Sequence, residues 1–217
     1  MTTLEQGRED PSVRLEQALL DADRPAAAAA LEAARAREGT SAIDHVVVPA
    51  LERIGSEWEQ GRLALSQVYM AGRICEDLTA AILPLAGPAR KGAGDVAIAV
   101  LEDHHLLGKR IVAATVRAAG WPLQDLGHGM TADALAERVR DSRIRVLLVS
   151  TLMLRAALHV RDLVRLLRRA NAPVRVVVGG APYRIDPELW REVGADAMGV
   201  NASDALALVE RFAGERT

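Results

Sequence analysis

The sequence is poor in cysteine and in aromatic residues, and neither sign of charge dominates it. Cys75 is the only cysteine, which excludes a disulfide within the chain and a cysteine-based zinc site. The 27 basic and 29 acidic residues give a net charge of -2, whereas a nucleic-acid-binding surface is usually basic. We therefore expect no direct binding of nucleic acid.

Long hydrophobic runs are also missing. None approaches the roughly 20 apolar residues that a membrane-spanning helix needs, and residues 1–11 lack the apolar core of a signal peptide. We expect a cytoplasmic protein that does not bind membranes. What the sequence does contain is 50% hydrophobic residues, mostly Ala, Leu and Val, and this mixture favours helices packed on a Val-rich sheet.

The first half of the chain has the apolar spacing of α-helices. Over residues 12–86 apolar side chains recur every three or four positions, which predicts four helices forming a small bundle, the cap domain. Ser66 is the expected N-cap of the fourth helix. The glycine-rich, basic stretch at residues 87–94 predicts a linker.

The second half, residues 95–217, alternates between strand and helix patterns. Helical patterns separate five apolar runs of strand length, at residues 96–101, 123–126, 146–150, 174–178 and 197–200. This alternation predicts an α/β domain, a parallel sheet of five strands with helices on both faces. A flavodoxin-like (Rossmann-like) strand order of two-one-three-four-five suits five such units.

Three of the predicted strands end in residues that suit a binding site. These strands, the first, third and fourth, are neighbours in the predicted order, and ligands of parallel sheets bind at the carboxyl ends of strands. The candidate residues, in chain order, are Asp103, His105, Gly108, Ser150, Leu152, Gly179 and Gly180.

These residues offer different properties to a ligand. His105 can bind a metal through one ring nitrogen while the other donates a hydrogen bond to Asp103. Gly108 leaves room beside the following helix, Ser150 supplies a small hydroxyl, and the glycine pair leaves space for a flat group. Each residue alone is more often an ordinary turn residue, so the prediction depends on their common edge of the sheet.

The same residues resemble the three-part signature of the cobalamin-binding domain. Its Asp-x-His-x-x-Gly part begins at Asp103, its Ser-x-Leu part at Ser150 and its Gly-Gly part at Gly179. Residues 95–215 resemble that family throughout. The helical half resembles the cap module that precedes it in methyl-carrying corrinoid proteins and in methionine synthase.

The resemblance implies how cobalamin is bound. The dimethylbenzimidazole tail of the cofactor leaves the cobalt (the base-off form), and His105 replaces it as lower axial ligand. Asp103 holds His105 and tunes the electron density that reaches cobalt. The detached tail lies in a slot beside Ser150, Leu152, Gly179 and Gly180. The resemblance implies methylcobalamin and cob(I)alamin as the working forms, with adenosylcobalamin as the alternative.

Two features of this sequence need comment against the families that it resembles. His104 adjoins His105 and is a second candidate for the cobalt ligand, although the motif register favours His105. Methionine synthase relatives have a further serine six residues after the signature serine, and here that position is Ala156. A proton relay in this chain is therefore shorter or uses another group.

The cap has one notable residue, Trp58. Cobalamin photoreceptors with a similar cap carry a Trp followed, after nine residues, by Glu-His, and that histidine binds cobalt from above. Val68 and Tyr69 occupy the corresponding positions here. The resemblance thus implies that Trp58, Val68 and Tyr69 shield the upper face of the cofactor without binding cobalt. The alternative for Trp58 is a place in the core of the bundle.

The function implied by the resemblance is that of a corrinoid protein of a methyltransferase system. Such a protein carries a methyl group between partner methyltransferases, and we predict no catalytic residues of its own. One alternative is a cobalamin-dependent, photoreceptor-like sensor that acts through a partner. Another is the cobalamin-binding subunit of an adenosylcobalamin mutase. The sequence leaves homo-oligomer formation open.

Overall fold

The computed structural model describes residues 10–83, 95–140 and 142–214. Contacts within the chain group it into two compact units, Met1–Leu83 and Pro84–Thr217. The predicted linker at residues 87–94 lies outside the described residues, and the predicted domain bounds stay predictions. Among the described helices, none is both long and apolar enough to cross a membrane.

The first unit contains the four predicted helices, α1 (Pro11–Leu20), α2 (Arg24–Glu38), α3 (Val48–Glu59) and α4 (Leu65–Ile82). Aspartates cap the first two, because Asp10 accepts a hydrogen bond from the N–H of Ser12 at 2.9 Å and Asp23 from that of Ala26 at 3.0 Å. Large aliphatic side chains from all four helices form the core: Leu15, Leu19, Leu31, Ile54 and Ile74.

Two helix starts in this unit differ from a regular pattern. A π-helical turn, Ile43–Val47, precedes α3, and Pro49 lies in the first turn of that helix. Proline has no N–H, so the regular hydrogen-bond ladder is interrupted there. The predicted N-cap Ser66 is wrong, because α4 begins at Leu65 with Ala64 as its N-cap. Gln67 accepts a 2.9 Å hydrogen bond from the backbone N–H of Ala64.

The second unit is the predicted α/β domain. Its five parallel strands are β1 (Val96–Leu101), β2 (Leu123–Met130), β3 (Val146–Ser150), β4 (Arg175–Gly179) and β5 (Ala197–Gly199). Their order in the sheet is β2-β1-β3-β4-β5, which confirms the predicted topology. The helices are α5 (Leu107–Ala118), α6 (Ala132–Arg140), α7 (Leu154–Arg169), α8 (Ala181–Ile185), α9 (Leu189–Glu192) and α10 (Ala202–Gly214).

Both faces of the sheet are covered, as the uninterrupted burial of β1 requires. Side chains of successive strand residues point to opposite faces. Ala97, Ala99 and Leu101 belong to a core shared with α6 and α7, whereas Val96 and Ile98 belong to a second core shared with α5 and α10. The carboxyl ends of the strands therefore lie between two pairs of helices.

The edge strand β2 continues four residues beyond its predicted end. Its pairing with β1 shifts register twice, and Gly127 and Gly129 have positive φ angles of 98° and 69°. These glycines let β2 follow the chain past the end of β1. The N–H of Glu102 bonds to the carbonyl of Met130 at 3.0 Å, so the loop after β1 is fixed to β2 through its backbone.

Candidate functional site

The loop after β1 holds a buried carboxylate, that of Asp103, which is 4% exposed. Its Oδ1 accepts hydrogen bonds from the backbone N–H groups of His104 at 2.7 Å and His105 at 3.1 Å, and from Nδ1 of His105. Its Oδ2 accepts from the N–H groups of Leu152 at 2.9 Å and Met153 at 3.1 Å. The carboxylate is thus fixed by the loops after two neighbouring strands.

The hydrogen bonds to Asp103 keep it ionised. Burial alone raises its pKa, but the hydrogen bonds from the His105 side chain and from the N–H groups of Leu152, His105 and Met153 outweigh burial. Together they lower the pKa of Asp103 from 3.8 to about 2. A carboxylate that stays charged can hold a neutral or a protonated imidazole in one orientation.

His105 is turned outward from this anchor. Its side chain is 57% exposed, and its Nδ1 donates to Asp103, so Nε2 is the nitrogen that can bind a metal. Within the described residues no group of three or more His, Cys, Asp or Glu side chains could hold a metal ion. A single oriented imidazole suits a metal that brings most of its ligands with it, as macrocyclic cofactors do.

His104 takes a different direction from its neighbour. Its Nδ1 shares a 3.1 Å hydrogen bond with Nδ1 of His128, and the two rings meet edge to face with centroids 5.3 Å apart. The ring packs on Gly129, where a Cβ atom would lie 2.6 Å from Cε1 of His104. His104 is therefore held by the end of β2, whereas only His105 bonds to Asp103 through its ring.

Small residues form a row across the sheet at the same edge. Ser150 of β3 pairs with Gly179 of β4, and Gly179 pairs with Gly199 of β5. By strand alternation these positions face the side that carries α5 and α10, as do Leu148 and Val177 two residues earlier. The row places almost no side-chain volume between the strand ends and these two helices.

The two helices approach this row closely. A Cβ on Gly108, in the first turn of α5, would lie 3.4 Å from Oγ of Ser150, and a Cβ on Gly199 would lie 3.2 Å from the backbone nitrogen of Ala205 in α10. Gly199 was not among the predicted site residues. Its signal in the sequence was a glycine at the end of the fifth strand, in line with Gly179.

Gly180 has a different role from Gly179. Its φ of 121° lies in a region that side chains rarely allow, and a Cβ there would fall 1.8 Å from the carbonyl oxygen of Thr151. The glycine therefore permits the loops after β3 and β4 to cross in direct backbone contact. Gly180 therefore does not leave the gap beside the sheet that the sequence predicted for a flat group.

The predicted residue Leu152 acts on Asp103 through its backbone, and its side chain is exposed. Met153, the next residue, and Val200, directly after β5, are also exposed. Exposed apolar side chains thus follow two strands at the edge that carries His105. Sequence reasoning missed Met153 and Val200, and the only signal was their position close to the carboxyl ends of the third and fifth predicted strands.

In the first unit, the predicted cap residues lie on α3 and α4. Trp58 is 46% exposed and Tyr69 is 65% exposed, whereas Val68 is partly buried. Leu65 and Met70 are exposed on the same helix as Tyr69. The bundle core does not enclose Trp58, so these helices present an apolar surface that the four-helix packing leaves unused.

Fold and site together define a parallel α/β protein whose ligand-binding edge carries a carboxylate-oriented histidine, preceded by a helical bundle. Residues 94–210 match a family model described as the B12 binding domain, and residues 13–83 match a second model with the same description. The chain belongs to the B12 binding domain family. The predicted resemblance and the binding of cobalamin are thereby confirmed at the level of the family.

Similar proteins include named corrinoid proteins. Dimethylamine corrinoid protein 2 of Methanosarcina mazei is 28% identical over 210 residues, which cover 92% of this chain and 95% of the relative. Trimethylamine corrinoid protein of Methanosarcina barkeri is 32% identical over 167 residues, covering 74% of this chain and 76% of the relative.

Solved structures share the fold. The monomethylamine corrinoid protein of Methanosarcina barkeri has a TM-score of 0.77 at 21% identity, covering 94% of this chain and 99% of that one. A chain in the methanol:cobalamin methyltransferase complex of the same organism has a TM-score of 0.52 at 18% identity, covering 97% and 82%. These likenesses confirm the predicted fold class.

Proposed function

We propose that this protein carries a methyl group on cobalamin and exchanges it with partner methyltransferases. The observation that carries the proposal is the hydrogen bond between Nδ1 of His105 and a buried, ionised Asp103. The names of the relatives, dimethylamine and trimethylamine corrinoid proteins, support methylamines as the source of the methyl group. A structure of a methanol:cobalamin methyltransferase complex supports partner enzymes of the same kind.

His105 is the lower axial ligand of cobalt in this proposal. Cobalamin, when bound, supplies a cobalt centre that accepts a methyl group and gives it up again. The His105 side chain is exposed and its Nδ1 donates to Asp103, which leaves Nε2 with the lone pair that a metal requires. The bonds of His104 to His128 and its contact with Gly129 support His105 over its neighbour.

The row of small residues is the seat of the detached cofactor tail. Gly108 on α5 and Ser150, Gly179 and Gly199 on the strands have little side-chain volume, so a planar base that entered between α5 and the strands would be lined by backbone and by the Ser150 hydroxyl. The hydroxyl of Ser150 faces Gly108 and offers the polar group to a bound base. The exposed side chains of Leu152, Met153 and Val200 provide an apolar seat for the corrin ring above this row.

Asp103 determines where a proton is held when His105 leaves the metal. With a pKa of about 2, Asp103 stays a carboxylate at neutral pH. The proton therefore goes to Nε2 of His105, and the resulting imidazolium remains paired with Asp103 through Nδ1. The Asp103–His105 pair would therefore stabilise the histidine when it is not bound to the metal. No serine at position 156 is needed for this step.

The helical unit is proposed to shield the upper face of the cofactor. Trp58, Val68 and Tyr69 offer apolar and aromatic surface that excludes water from a reactive centre. Neither Val68 nor Tyr69 has the imidazole through which the photoreceptor histidine binds cobalt, so these positions would not supply that upper ligand. A methyl group stored on cobalt gains protection from such a cap between transfers.

The proposal is tested by loading the protein with methylcobalamin and recording its absorption spectrum and its methyl transfer. We expect the wild type to bind cobalamin base-off. We also expect it to accept a methyl group from a corrinoid-dependent methyltransferase, or to give one to it. His105→Ala should bind cobalamin and lose the spectrum of imidazole-bound cobalt, whereas the matched control His104→Ala should keep it. Identical spectra for wild type and His105→Ala would contradict the assigned ligand. Absence of methyl exchange with wild type would contradict the carrier function.

A further inference from the structure

The residue before Asp103 has an unusual backbone conformation. Glu102 has a φ of 47°, a left-handed value that costs a residue with a side chain on the order of 1 kcal/mol. The other two described non-glycine residues with positive φ, Ala22 and Asn171, follow the C-terminal ends of α1 and α7, where this conformation is common. Glu102 instead follows a strand, inside the candidate site.

The side chain of Glu102 makes a contact that a glycine could not make. Its Oε2 accepts a hydrogen bond from Nδ1 of His159 at 2.5 Å, and the two side chains are 26% and 34% exposed. His159 lies on α7, the helix that begins directly after Met153. Because both side chains are partly buried, solvent weakens this hydrogen bond less than it would weaken one between fully exposed groups.

The segment from Glu102 to Asp103 is thereby fixed on two sides. Its backbone bonds to β2, through Glu102 to Met130 and through Gly129 to the carbonyl of Asp103, both at 3.0 Å. On the other side Asp103 accepts the amides that precede α7, and Glu102 binds His159 within α7. The two neighbouring carboxylates therefore tie the loop after β1 to the start and to the body of the same helix.

We propose that Glu102 and His159 form a positioning pair that sets the orientation of Asp103, and through it the strength of His105 as a cobalt ligand. This inference rests on the proposed role of His105. His159 does not touch the ligand; it holds the residue that precedes the orienting carboxylate. Position 156 on α7, where methionine synthase relatives have a serine, is Ala156 here. The Glu102–His159 pair is a polar connection between the loop and the body of α7.

The test measures nitrogen coordination of cobalt, a property that folding alone does not report. In the cob(II)alamin form, a bound axial nitrogen splits the lines of the electron paramagnetic resonance spectrum. We expect His159→Ala and Glu102→Gly to lower the ratio of nitrogen-bound to nitrogen-free cobalt by about tenfold, the lower end of the range for groups supporting a metal ligand. His159→Asn, which places an amide nitrogen near the position of Nδ1, should restore most of the ratio.

The chain offers a matched control in its first unit. His45 forms a similar pair with Glu38, at 3.0 Å from Nδ1 to Oε2, and His45→Ala should leave the spectrum unchanged. Glycine adopts the positive φ at position 102 without cost, so Glu102→Gly removes the pair and also relieves the backbone. This variant should remain folded even if His159→Ala does not. Nitrogen splitting kept at the wild-type ratio in Glu102→Gly would overturn the inference. A wild type without nitrogen splitting would instead overturn the assignment of His105 itself.

Discussion

Leu152 donates a backbone hydrogen bond of 2.9 Å to Oδ2 of Asp103, a residue 49 positions earlier in the chain. The contact joins the loop after β3 to the loop after β1. In this protein the Ser-x-Leu motif therefore acts on Asp103 through its main chain, while the Leu152 side chain remains exposed. The orientation of His105 depends on both loops, since Asp103 is the group that both of them hold.

Replacing Asp103 should change how stability depends on pH. The folded pKa of about 2 lies below the ordinary 3.8, so the carboxylate stabilises the fold above about pH 4 and loses this effect as pH falls towards 2. The contribution is at most roughly 2–3 kcal/mol, because the pKa falls from 3.8 to about 2 and one pKa unit equals 1.36 kcal/mol. Urea unfolding of the cofactor-free protein should show Asp103→Asn less stable than wild type near neutral pH, with the difference shrinking in acid.

The control for this measurement is Asp162→Asn, because Asp162 is an exposed aspartate on α7. It should follow the wild-type stability at every pH. A constant difference between wild type and Asp103→Asn across the acid range would show that the charge of Asp103 is not the source of its effect.

Gly180→Ala should destabilise the α/β unit strongly. The positive φ alone costs about 1–3 kcal/mol, and overlap with the carbonyl oxygen of Thr151 at 1.8 Å adds to it. Gly179→Ala is the matched comparison, because its Cβ would only approach the carbonyl oxygen of Gly199 at 3.1 Å and its φ is not positive. Chemical denaturation should show a larger loss in the free energy of unfolding for Gly180→Ala than for Gly179→Ala. Equal losses would mean that the two loops can separate without cost.

Gly108→Leu should weaken cobalamin binding while the protein stays folded. A side chain here enters the space beside Ser150, whose Oγ already lies 3.4 Å from the position of a Cβ. Overpacking typically costs about 1–3 kcal/mol, which corresponds to a loss of affinity of roughly 5- to 150-fold. Equilibrium titration followed by absorbance measures the affinity, and circular dichroism checks the fold. Gly214→Leu, where a Cβ meets nothing within 4 Å, should bind as wild type does.

Removing the aromatic surface of the cap should expose the reduced cofactor. We expect the double variant Trp58→Ala, Tyr69→Ala to raise the rate at which dissolved oxygen oxidises cob(I)alamin by about threefold or more, since the shield against solvent is lost. Stopped-flow absorbance follows this oxidation. Val13→Ala changes an exposed apolar residue of α1 and serves as the control. An unchanged rate in the double variant would remove Trp58 and Tyr69 from the cofactor site.

The strand bounds show how much of the fold could be predicted from sequence patterns. The predicted bounds of β1 and β3 agree with the structure, because a strand buried on both faces is an uninterrupted apolar run that ends where polar residues begin. The end of β2 did not follow from its sequence. Polar and glycine residues from Gly127 onward read as a loop, but they pair with β1 and with the residues after it.

The sequence by itself determined the helical and α/β halves, the strand order and the candidate residues at three strand ends, because periodicity and local motif spacing are properties of neighbouring residues. Only the tertiary structure decided which atoms meet. It joined Leu152 to Asp103, turned His104 towards His128, aligned Gly199 with Gly179 and paired Glu102 with His159. Such contacts depend on strand register and helix packing between distant segments, which no local pattern records. The histidine at the strand end was visible in the sequence, and its fixed orientation was not.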